Sequence, residues 1–161
     1  MNAIVSVTED WGIGYKGELL VRNRVDMNYF KSKTMGGTVL CGQNTFLSFP
    51  GGALEGRRNL VLSLDPTFEA PGIEIFSNMD DALAAVQDTD PKDVWVIGGE
   101  SIYRQLLPMC DRVFVTKNAV RLPADAYFPN LDDDPSWHVE STEKGGVTKA
   151  GIAFDFVTYA R

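Results

Sequence analysis

Short apolar runs recur along the first two thirds of the chain, with helical patterns between them. Five runs predict strands, at residues 3–7, 38–42, 59–64, 73–76 and 93–99. Several of them are continuously apolar rather than alternating, which is typical of parallel strands covered on both faces. Between them the pattern predicts four helices, at residues 26–34, 43–49, 78–87 and 100–108. Asn78 is a favoured N-cap for the third helix, and the fourth ends at Pro108.

The last third of the chain lacks a helical pattern. Three more strands are predicted at residues 112–120, 137–144 and 152–160, and the glycine-rich segment between the last two predicts a hairpin. No repeat, low-complexity tract or boundary divides the sequence, so we expect one domain over residues 1–161. The predicted class is α/β, with a mostly parallel sheet that finishes in an antiparallel hairpin.

Composition narrows the function classes. The chain has 161 residues, enough for one core, and a net charge of −7 that does not favour a nucleic-acid partner. The N-terminus has no basic region of a signal peptide, and no apolar run is long enough to span a membrane. Cys41 and Cys110 are expected to be buried free thiols. With His138 as the only histidine, a zinc site and a Ser-His-Asp triad have little support. We therefore expect a cytoplasmic, metal-free protein.

One acidic residue stands in an apolar setting. In the stretch LLVRNRVDMNYF, Asp26 lies between Val25 and Met27, and Phe30 follows one turn later. Asp26 is either the N-cap of the helix or a carboxylate in an apolar cleft with a raised pKa. About 18 residues without a clear element precede it, and such long connections are often active-site lids.

Three glycine-rich segments are candidate binding elements. The stretch GIGYKG (12–17) matches G-x-G-x-x-G, but no helix opens directly after it, so we reject a dinucleotide fingerprint and interpret the glycines as hinges of a mobile loop. VIGGESIY (96–103) and CGQNTF (41–46) each join a strand to a helix through glycine. Each junction is either a plain turn or a phosphate seat, and the pair together fits a nucleotide crossing the sheet.

Basic residues offer a further candidate. In GRRN, Arg57 and Arg58 precede a strand, and they form either a solvated turn or a clamp for a carboxylate or phosphate. By pattern alone, Lys31 and Lys33 are solvated helix lysines.

These segments, taken in order, resemble the dihydrofolate reductase family from residue 3 to the C-terminus. The blocks that carry the resemblance are WGIG, DMNYFKSKTMGGTVLCGQNTF, GRRNLVLS, VIGGESIYRQLLP, VFVTKN and YFPNL. The resemblance implies that family's fold, a central eight-stranded, mostly parallel sheet with an antiparallel C-terminal edge hairpin and about four flanking helices. It also implies reduction of 7,8-dihydrofolate to tetrahydrofolate by NADPH.

The resemblance assigns site residues by position. Asp26 matches the single cleft carboxylate that binds the pterin ring and assists protonation at N5, and Thr116 matches the hydroxyl that supports it. The substrate-binding positions are Val5, Ser6, Val7, Leu19, Met27, Phe30, Lys31, Phe49, Leu54, Arg57, Ile97 and Tyr103. The cofactor-binding positions are Val7, Ile13, Gly14, Gly17, Gly42, Gln43, Asn44, Thr45, Leu62, Ser63, Leu64, Ile97, Gly98, Gly99, Glu100, Ser101, Ile102, Tyr103 and Gln105.

Three departures distinguish this chain from the family pattern. Leu20-Val21 replaces Pro-Trp, Arg24 replaces a proline, and Gln43 replaces the arginine that pairs with the 2′-phosphate of NADPH. Without that charge we expect NADPH to be used with a weakened preference over NADH, unless Arg58 or Lys16 supplies the missing cation.

The resemblance also suggests the partners and leaves two rivals. We expect a monomer that binds dihydrofolate and antifolate inhibitors and neither nucleic acid nor membrane. One rival is a pteridine- or pyrimidine-reducing enzyme of the same fold, for which Arg57 would be unimportant. The other is a non-catalytic folate- or nucleotide-binding protein, which would show no turnover.

Overall fold

The computed structural model describes all 161 residues, Met1–Arg161. It contains eleven strands and four α-helices, joined by short 3-10 turns. The strands are β1 (Asn2–Val7), β2 (Gly12–Tyr15), β3 (Glu18–Leu19), β4 (Thr38–Gly42), β5 (Arg58–Leu62), β6 (Ile73–Phe76), β7 (Val94–Gly98), β8 (Arg112–Asn118), β9 (Ala126–Tyr127), β10 (His138–Val147) and β11 (Ala153–Ala160). The helices are α1 (Arg24–Thr34), α2 (Gln43–Leu47), α3 (Met79–Ala84) and α4 (Glu100–Leu106).

Eight strands form one sheet in the order β10–β11–β8–β1–β7–β4–β5–β6. All neighbours from β8 to β6 are parallel, whereas β11 runs antiparallel to both β8 and β10. This confirms the predicted mostly parallel sheet with a C-terminal hairpin. In the β1–β8 register Ser6 lies opposite Thr116, which places their side chains next to each other on one face.

Helices cover both faces of the sheet. On one face α1 and α2 pack against a cluster that includes Ile4, Val61 and Trp95. The other face belongs to a larger cluster that takes in α3 and α4. Successive residues of β1 enter opposite clusters, because side chains alternate along a strand. Burial on both sides is the reason why these strands are continuously apolar.

The two thiols are free, as predicted, and both are buried. Burial raises the pKa of Cys41 to about 12 and that of Cys110 to about 11, so neither is a reactive thiolate at neutral pH. None of the helices combines the length and apolar character that a membrane span requires.

The segment before Asp26 is not structureless, and that prediction was wrong. It folds into the β2–β3 hairpin, which β9 extends to a second, three-stranded sheet. The partner strand lies more than 100 residues further along the chain, as in the bond from the Lys16 amide to Asp125 Oδ2 (2.9 Å). Gly12 and Gly14 are therefore strand residues, whereas Gly17, with φ of 81°, lies in the tight turn between β2 and β3. No helix follows directly, in agreement with our rejection of the dinucleotide fingerprint.

Helix α1 begins at Arg24, two residues earlier than predicted, and its N-cap is Asn23 rather than Asp26. The Asn23 side chain accepts a hydrogen bond from the Asp26 amide at 2.6 Å. Val25 and Met27 are 51% and 64% exposed, so the flanks of Asp26 do not face the core. Other boundaries shift by a few residues: α2 ends at Leu47, α3 at Ala84, and β10 continues to Val147.

The two asparagine caps are expected to contribute measurably to the free energy of unfolding. Asn23 and Asn78 cap α1 and α3 in the same way, through amide bonds of 2.6 and 2.8 Å. We expect Asn23→Ala and Asn78→Ala each to lower the free energy of unfolding by about 1 kcal/mol, because each leaves a helix-terminal N–H without its acceptor. Urea unfolding measures this loss.

Asn28→Ala is the matched control, since Asn28 is an exposed residue of α1. Alanine has the higher helix propensity, so this variant should be as stable as the parent or slightly more stable. Equal losses in all three variants would contradict the capping explanation.

Candidate active site

A cleft opens at the carboxyl ends of the parallel strands, between the β2–β3 hairpin and the first turns of α2 and α4. Its walls include residues of β1, β2 and β7. Thirteen of the predicted site residues line it: Val5, Ser6, Ile13, Gly14, Gly17, Leu19, Asn44, Thr45, Ile97, Gly98, Gly99, Glu100 and Tyr103. Ligands of open parallel α/β sheets bind at this edge, and here it gathers residues from distant parts of the chain.

Asp26 lies beside this cleft, where the start of α1 meets the sheet. Its Oδ1 accepts a hydrogen bond of 2.6 Å from the Thr116 hydroxyl of β8. Thr116 is buried, and Asp26 is half-buried. The predicted pairing of this acid with this hydroxyl is thus present.

The start of α3 shows what Asp26 would do if it served only its helix. Both helices begin with Asn-x-x-Asp, at residues 23–26 and 78–81. In α3 the two side chains pair with each other, since Asn78 Nδ2 donates to Asp81 Oδ2 at 2.9 Å. In α1 the carboxylate turns to Thr116 instead, and the buried Asn23 Nδ2 has no partner. The Asn-x-x-Asp pattern of α1 therefore lacks the side-chain pair that the same pattern forms in α3.

Burial raises the pKa of the Asp26 carboxyl above its ordinary value, and hydrogen bonds from the Thr116 and Ser6 hydroxyls act in the opposite direction. No charged group contributes to this shift. Asp26 also affects the nearby Tyr29. Burial and the charges of Glu143 and Asp26 together raise the pKa of the Tyr29 phenol to about 12. A carboxyl held in this way exchanges a proton at a higher pH than a solvated one.

The neighbouring side chains of Arg57 and Arg58 have different hydrogen-bond partners. Arg58 makes a two-pronged ion pair with Glu74 at 2.5 and 2.8 Å, so it is already neutralised. Arg57 binds only neutral acceptors, the Glu55 carbonyl at 3.0 Å and the Thr34 hydroxyl at 3.1 Å. Its guanidinium lies over the Phe30 ring, with 6.0 Å to the centroid. Arg57 is therefore a positioned cation that has no carboxylate partner within the chain.

The β4–α2 and β7–α4 junctions lie side by side, because Cys41 and Gly98 are paired in neighbouring strands. A Cβ atom on Gly99 would approach Thr45 Oγ1 to 3.3 Å, and one on Gly98 would lie 3.4 Å from the Tyr103 ring. Gly98 also has φ of 123°, which glycine alone adopts readily. These glycines leave backbone exposed for close approach, so the edge fits an extended nucleotide of the NADPH type.

The outer end of this edge carries no cation. Ser63 Oγ donates to Gln43 Oε1 at 2.5 Å, which holds the side chain that replaces the family's arginine. Leu64 next to it is 91% exposed. Residues 42–49, 62–69 and 76–81 contain no lysine or arginine.

Other predicted site residues lie outside the cleft. The half-buried Phe30, Phe49 and Leu54 pack at the edge of the α1-side cluster and form the wall next to Arg57. Ile102 is buried, while Lys31, Ser101 and Gln105 are exposed. The remaining predicted site residues lie in or next to β1, α1, β4 and β5: Val7, Met27, Gly42, Leu62, Ser63 and Leu64. Their binding roles stay predictions.

Four cleft residues were not predicted: Glu18, Ser48, Asp125 and Ala126. Glu18 and Ser48 neighbour predicted residues in the chain and could have been included on that ground. Asp125 and Ala126 reach the cleft only because β9 pairs with β2, and no local sequence signal marks that pairing. No group of three or more His, Cys, Asp or Glu side chains is placed to hold a metal ion.

Comparison with known proteins agrees with this geometry. The family model described as dihydrofolate reductase matches residues 1–161. The dihydrofolate reductase of Mycobacterium tuberculosis is 35% identical over 154 residues, which cover 92% of this chain and 90% of that one. Dihydrofolate reductase type 3 of Salmonella typhimurium is 35% identical over 136 residues, which cover 84% and 82% of the two chains.

A solved structure gives the same answer for the fold. Dihydrofolate reductase from Enterococcus faecalis, complexed with NADP(H) and RAB-propyl, superposes with a TM-score of 0.85 at 30% identity. The match covers 99% of this chain and 95% of the other. With a family match over its whole length, this chain belongs to the dihydrofolate reductase family.

Proposed function

We propose that Asp26 is the residue around which this dihydrofolate reductase binds and protonates its substrate. The chain reduces 7,8-dihydrofolate to 5,6,7,8-tetrahydrofolate with NADPH, as its family membership shows. The observation that carries the role of Asp26 is its carboxylate, half-buried beside the glycine-lined cleft and bonded to the buried Thr116 hydroxyl instead of to its own helix cap.

Asp26 orients the pterin ring. A carboxylate has about four lone-pair positions, so the bond from Thr116 leaves it able to accept two neighbouring N–H groups of the substrate. Two parallel charge-assisted bonds fix the ring in its plane and hold it in one orientation. Because its pKa is raised, the same group can assist delivery of a proton to N5 at a higher pH than a solvated aspartate could.

NADPH, when bound, supplies the hydride that enters the pterin ring. The cleft residues that would hold it are the glycines and Thr45 at the two strand–helix junctions, together with Ile13 and Gly14 of the hairpin. Ile13 of the hairpin is a buried apolar residue of the cleft wall and helps to keep water away from the ring. Val21, which stands where the family has tryptophan, is also buried, with 8% of its surface exposed.

Arg57 would bind the glutamate carboxylate of the substrate. Its guanidinium is oriented by two neutral acceptors and is partly buried, which lowers its pKa without removing its charge. A cation prepared in this way pairs well with a planar carboxylate. We further propose that the protein is a cytoplasmic monomer that binds antifolate inhibitors at the same site; sedimentation velocity tests the monomeric state.

The choice between NADPH and NADH depends on the outer end of the glycine-lined edge, which carries no cation. Gln43 and Ser63 are bonded to each other, and the nearest acid, Asp65, stays ionised because Thr67 holds its pKa down. Arg58 is paired with Glu74, so it cannot replace the missing arginine. A 2′-phosphate at this edge would meet neutral donors and the ionised Asp65 but no cation, and we therefore propose a weak preference for NADPH over NADH.

Asp26→Asn tests the proposed chemistry. Turnover of dihydrofolate at neutral pH should fall by about 100-fold or more, because the amide neither carries the charge nor supplies the proton. The loss should shrink at low pH, where substrate arrives already protonated. Steady-state assays at 340 nm across the pH range measure both effects.

Asp81→Asn is the control, because Asp81 has the same place in the Asn-x-x-Asp start of α3 and should keep full activity. An equal loss for Asp26→Asn at every pH would mean that Asp26 is structural.

Arg57→Ala tests the glutamate clamp and the rival reductase. We expect KM for dihydrofolate to rise about 10- to 100-fold with a small change in kcat, since a charged pair is lost at a point remote from the reacting atoms. Reduction of a dihydropterin without a glutamate tail should not change. Unaltered kinetics with dihydrofolate would favour a pteridine-type substrate.

Gln43→Arg tests the basis of cofactor choice. It should raise the NADPH-to-NADH ratio of kcat/KM by about tenfold or more and tighten NADPH binding in a fluorescence titration, whereas Gln43→Ala should leave the ratio near its wild-type value. Gln87→Arg adds the same charge at an exposed residue beyond α3 and should change neither quantity. A large wild-type ratio that survives Gln43→Ala would contradict the proposal.

A further inference from the structure

A second hydroxyl faces Asp26 beside that of Thr116. Ser6 of β1 and Thr116 of β8 are register partners, so their side chains stand next to each other beneath the start of α1. Ser6, like Thr116, holds the pKa of the Asp26 carboxyl down. Ser6 thus belongs to the support of the acid as well as to the wall of the cleft.

The direction of the Ser6 hydroxyl is set by Asn118. Asn118 Nδ2 donates to Ser6 Oγ at 3.0 Å, which occupies the oxygen and leaves its hydrogen free to point at the carboxylate. The same amide group donates to the Val7 carbonyl at 2.9 Å. A flipped amide would place its oxygen against that carbonyl, so the orientation of Asn118 is determined by its surroundings.

The burial of the Asn118 amide lowers the stability of the fold, so stability does not explain why an asparagine stands here. Asn118 is 2% exposed, and its Oδ1 has no hydrogen-bond partner. A buried acceptor without a partner is unfavourable, and an apolar side chain would avoid it. The amide is retained at a place where its N–H groups reach Ser6, directly behind the acid.

We propose that Ser6, oriented by Asn118, is a positioning residue that fixes the Asp26 carboxylate for substrate binding. The proposal rests on the proposed role of Asp26. Thr116 donates to the carboxylate from the sheet side and Ser6 stands beside Thr116 there, so the remaining lone pairs of the carboxylate are left for the substrate. Both hydroxyls belong to the rigid sheet, and the bond from Thr116 holds the acid away from Asn23, whereas Asp81 pairs with Asn78.

Other charged groups do not account for the environment of Asp26. On α1 the titratable neighbour is Tyr29, which stacks on Phe156 of β11. Glu143 of β10 acts on Tyr29 and is not a cause of the Asp26 shift. Lys117 of β8 points through the opposite face, where it binds Asp132 and Tyr159. The pKa of Asp26 therefore reflects its burial and the two hydroxyls beside it, and no charged neighbour.

The test is an NMR titration of the Asp26 carboxyl carbon in the ligand-free protein, compared with the KM for dihydrofolate. Ser6→Ala removes a donor to the anion, so the titration midpoint should move to higher pH and KM at neutral pH should rise about three- to tenfold. Ser6→Thr keeps a hydroxyl and should return both quantities toward wild type. Ser32→Ala, an exposed serine of α1, is the control that should change neither.

A double-mutant cycle tests the part of Asn118. If Asn118 acts through Ser6, Asn118→Ala shifts the midpoint in the same direction, and adding it to Ser6→Ala produces no further shift. The proposal would be overturned by an unchanged Asp26 midpoint in Ser6→Ala, by a Ser6→Thr variant that does not move back toward wild type, or by fully additive midpoint shifts in the double mutant. If Asn118→Ala does not fold, the Ser6 variants alone decide. Because the titration needs neither substrate nor turnover, its failure is distinct from loss of the proposed role of Asp26, which Asp26→Asn reports.

Discussion

The hydrogen bond from Thr116 to Asp26 is the interaction on which the site depends. It joins the first turn of α1 to β8, two elements that are 90 residues apart in sequence. It also diverts the acid from its helix cap and leaves Asn23 Nδ2 unpaired. Because burial raises the pKa of Asp26, the folded protein binds this proton more tightly than the unfolded chain. Folding stability from this group therefore falls as pH rises through the interval between the two pKa values. This loss of stability is the cost of holding a carboxyl in a half-buried position beside the cleft.

The sheet topology places everything else relative to that bond. β1 lies between β8 and β7, so the residue pair Ser6 and Thr116 stands next to the strand that ends in Gly98 and Gly99. The order β1–β7–β4 then brings the two glycine junctions together at one edge. A substrate held by Asp26 and a nucleotide lying along the glycines would meet over the end of β1. The chemistry thus follows from strand order more than from any single motif.

The same scaffold tolerates change where contacts are local. Gln43 and Leu64 alter the outer edge without disturbing β4 or β5, since Gln43 still bonds to Ser63. The hairpin that replaces the expected loop carries Lys16 and Leu19 on an exposed tip, tied to the body by Asp125. Changes at the outer edge and at the hairpin tip therefore do not act directly on the bond between Thr116 and Asp26.

The sequence by itself determined the class of fold and the family, and it marked Asp26 as the candidate acid. Continuous apolar runs predicted the buried parallel strands, and the ordered blocks around Asp26, Arg57 and the paired glycines indicated the family. Both signals are local, because strand burial and short motifs are written in neighbouring residues.

Only the tertiary structure decided the rest. Four features depend on contacts between segments that are distant in sequence: the pairing of β2 with β9, the bond from Thr116 to Asp26, the ion pair of Arg58 with Glu74 and the bond from Asn118 to Ser6. No window of sequence contains both partners of such a contact. The competition between a local cap and a distant hydroxyl for the same carboxylate is settled only when the sheet forms.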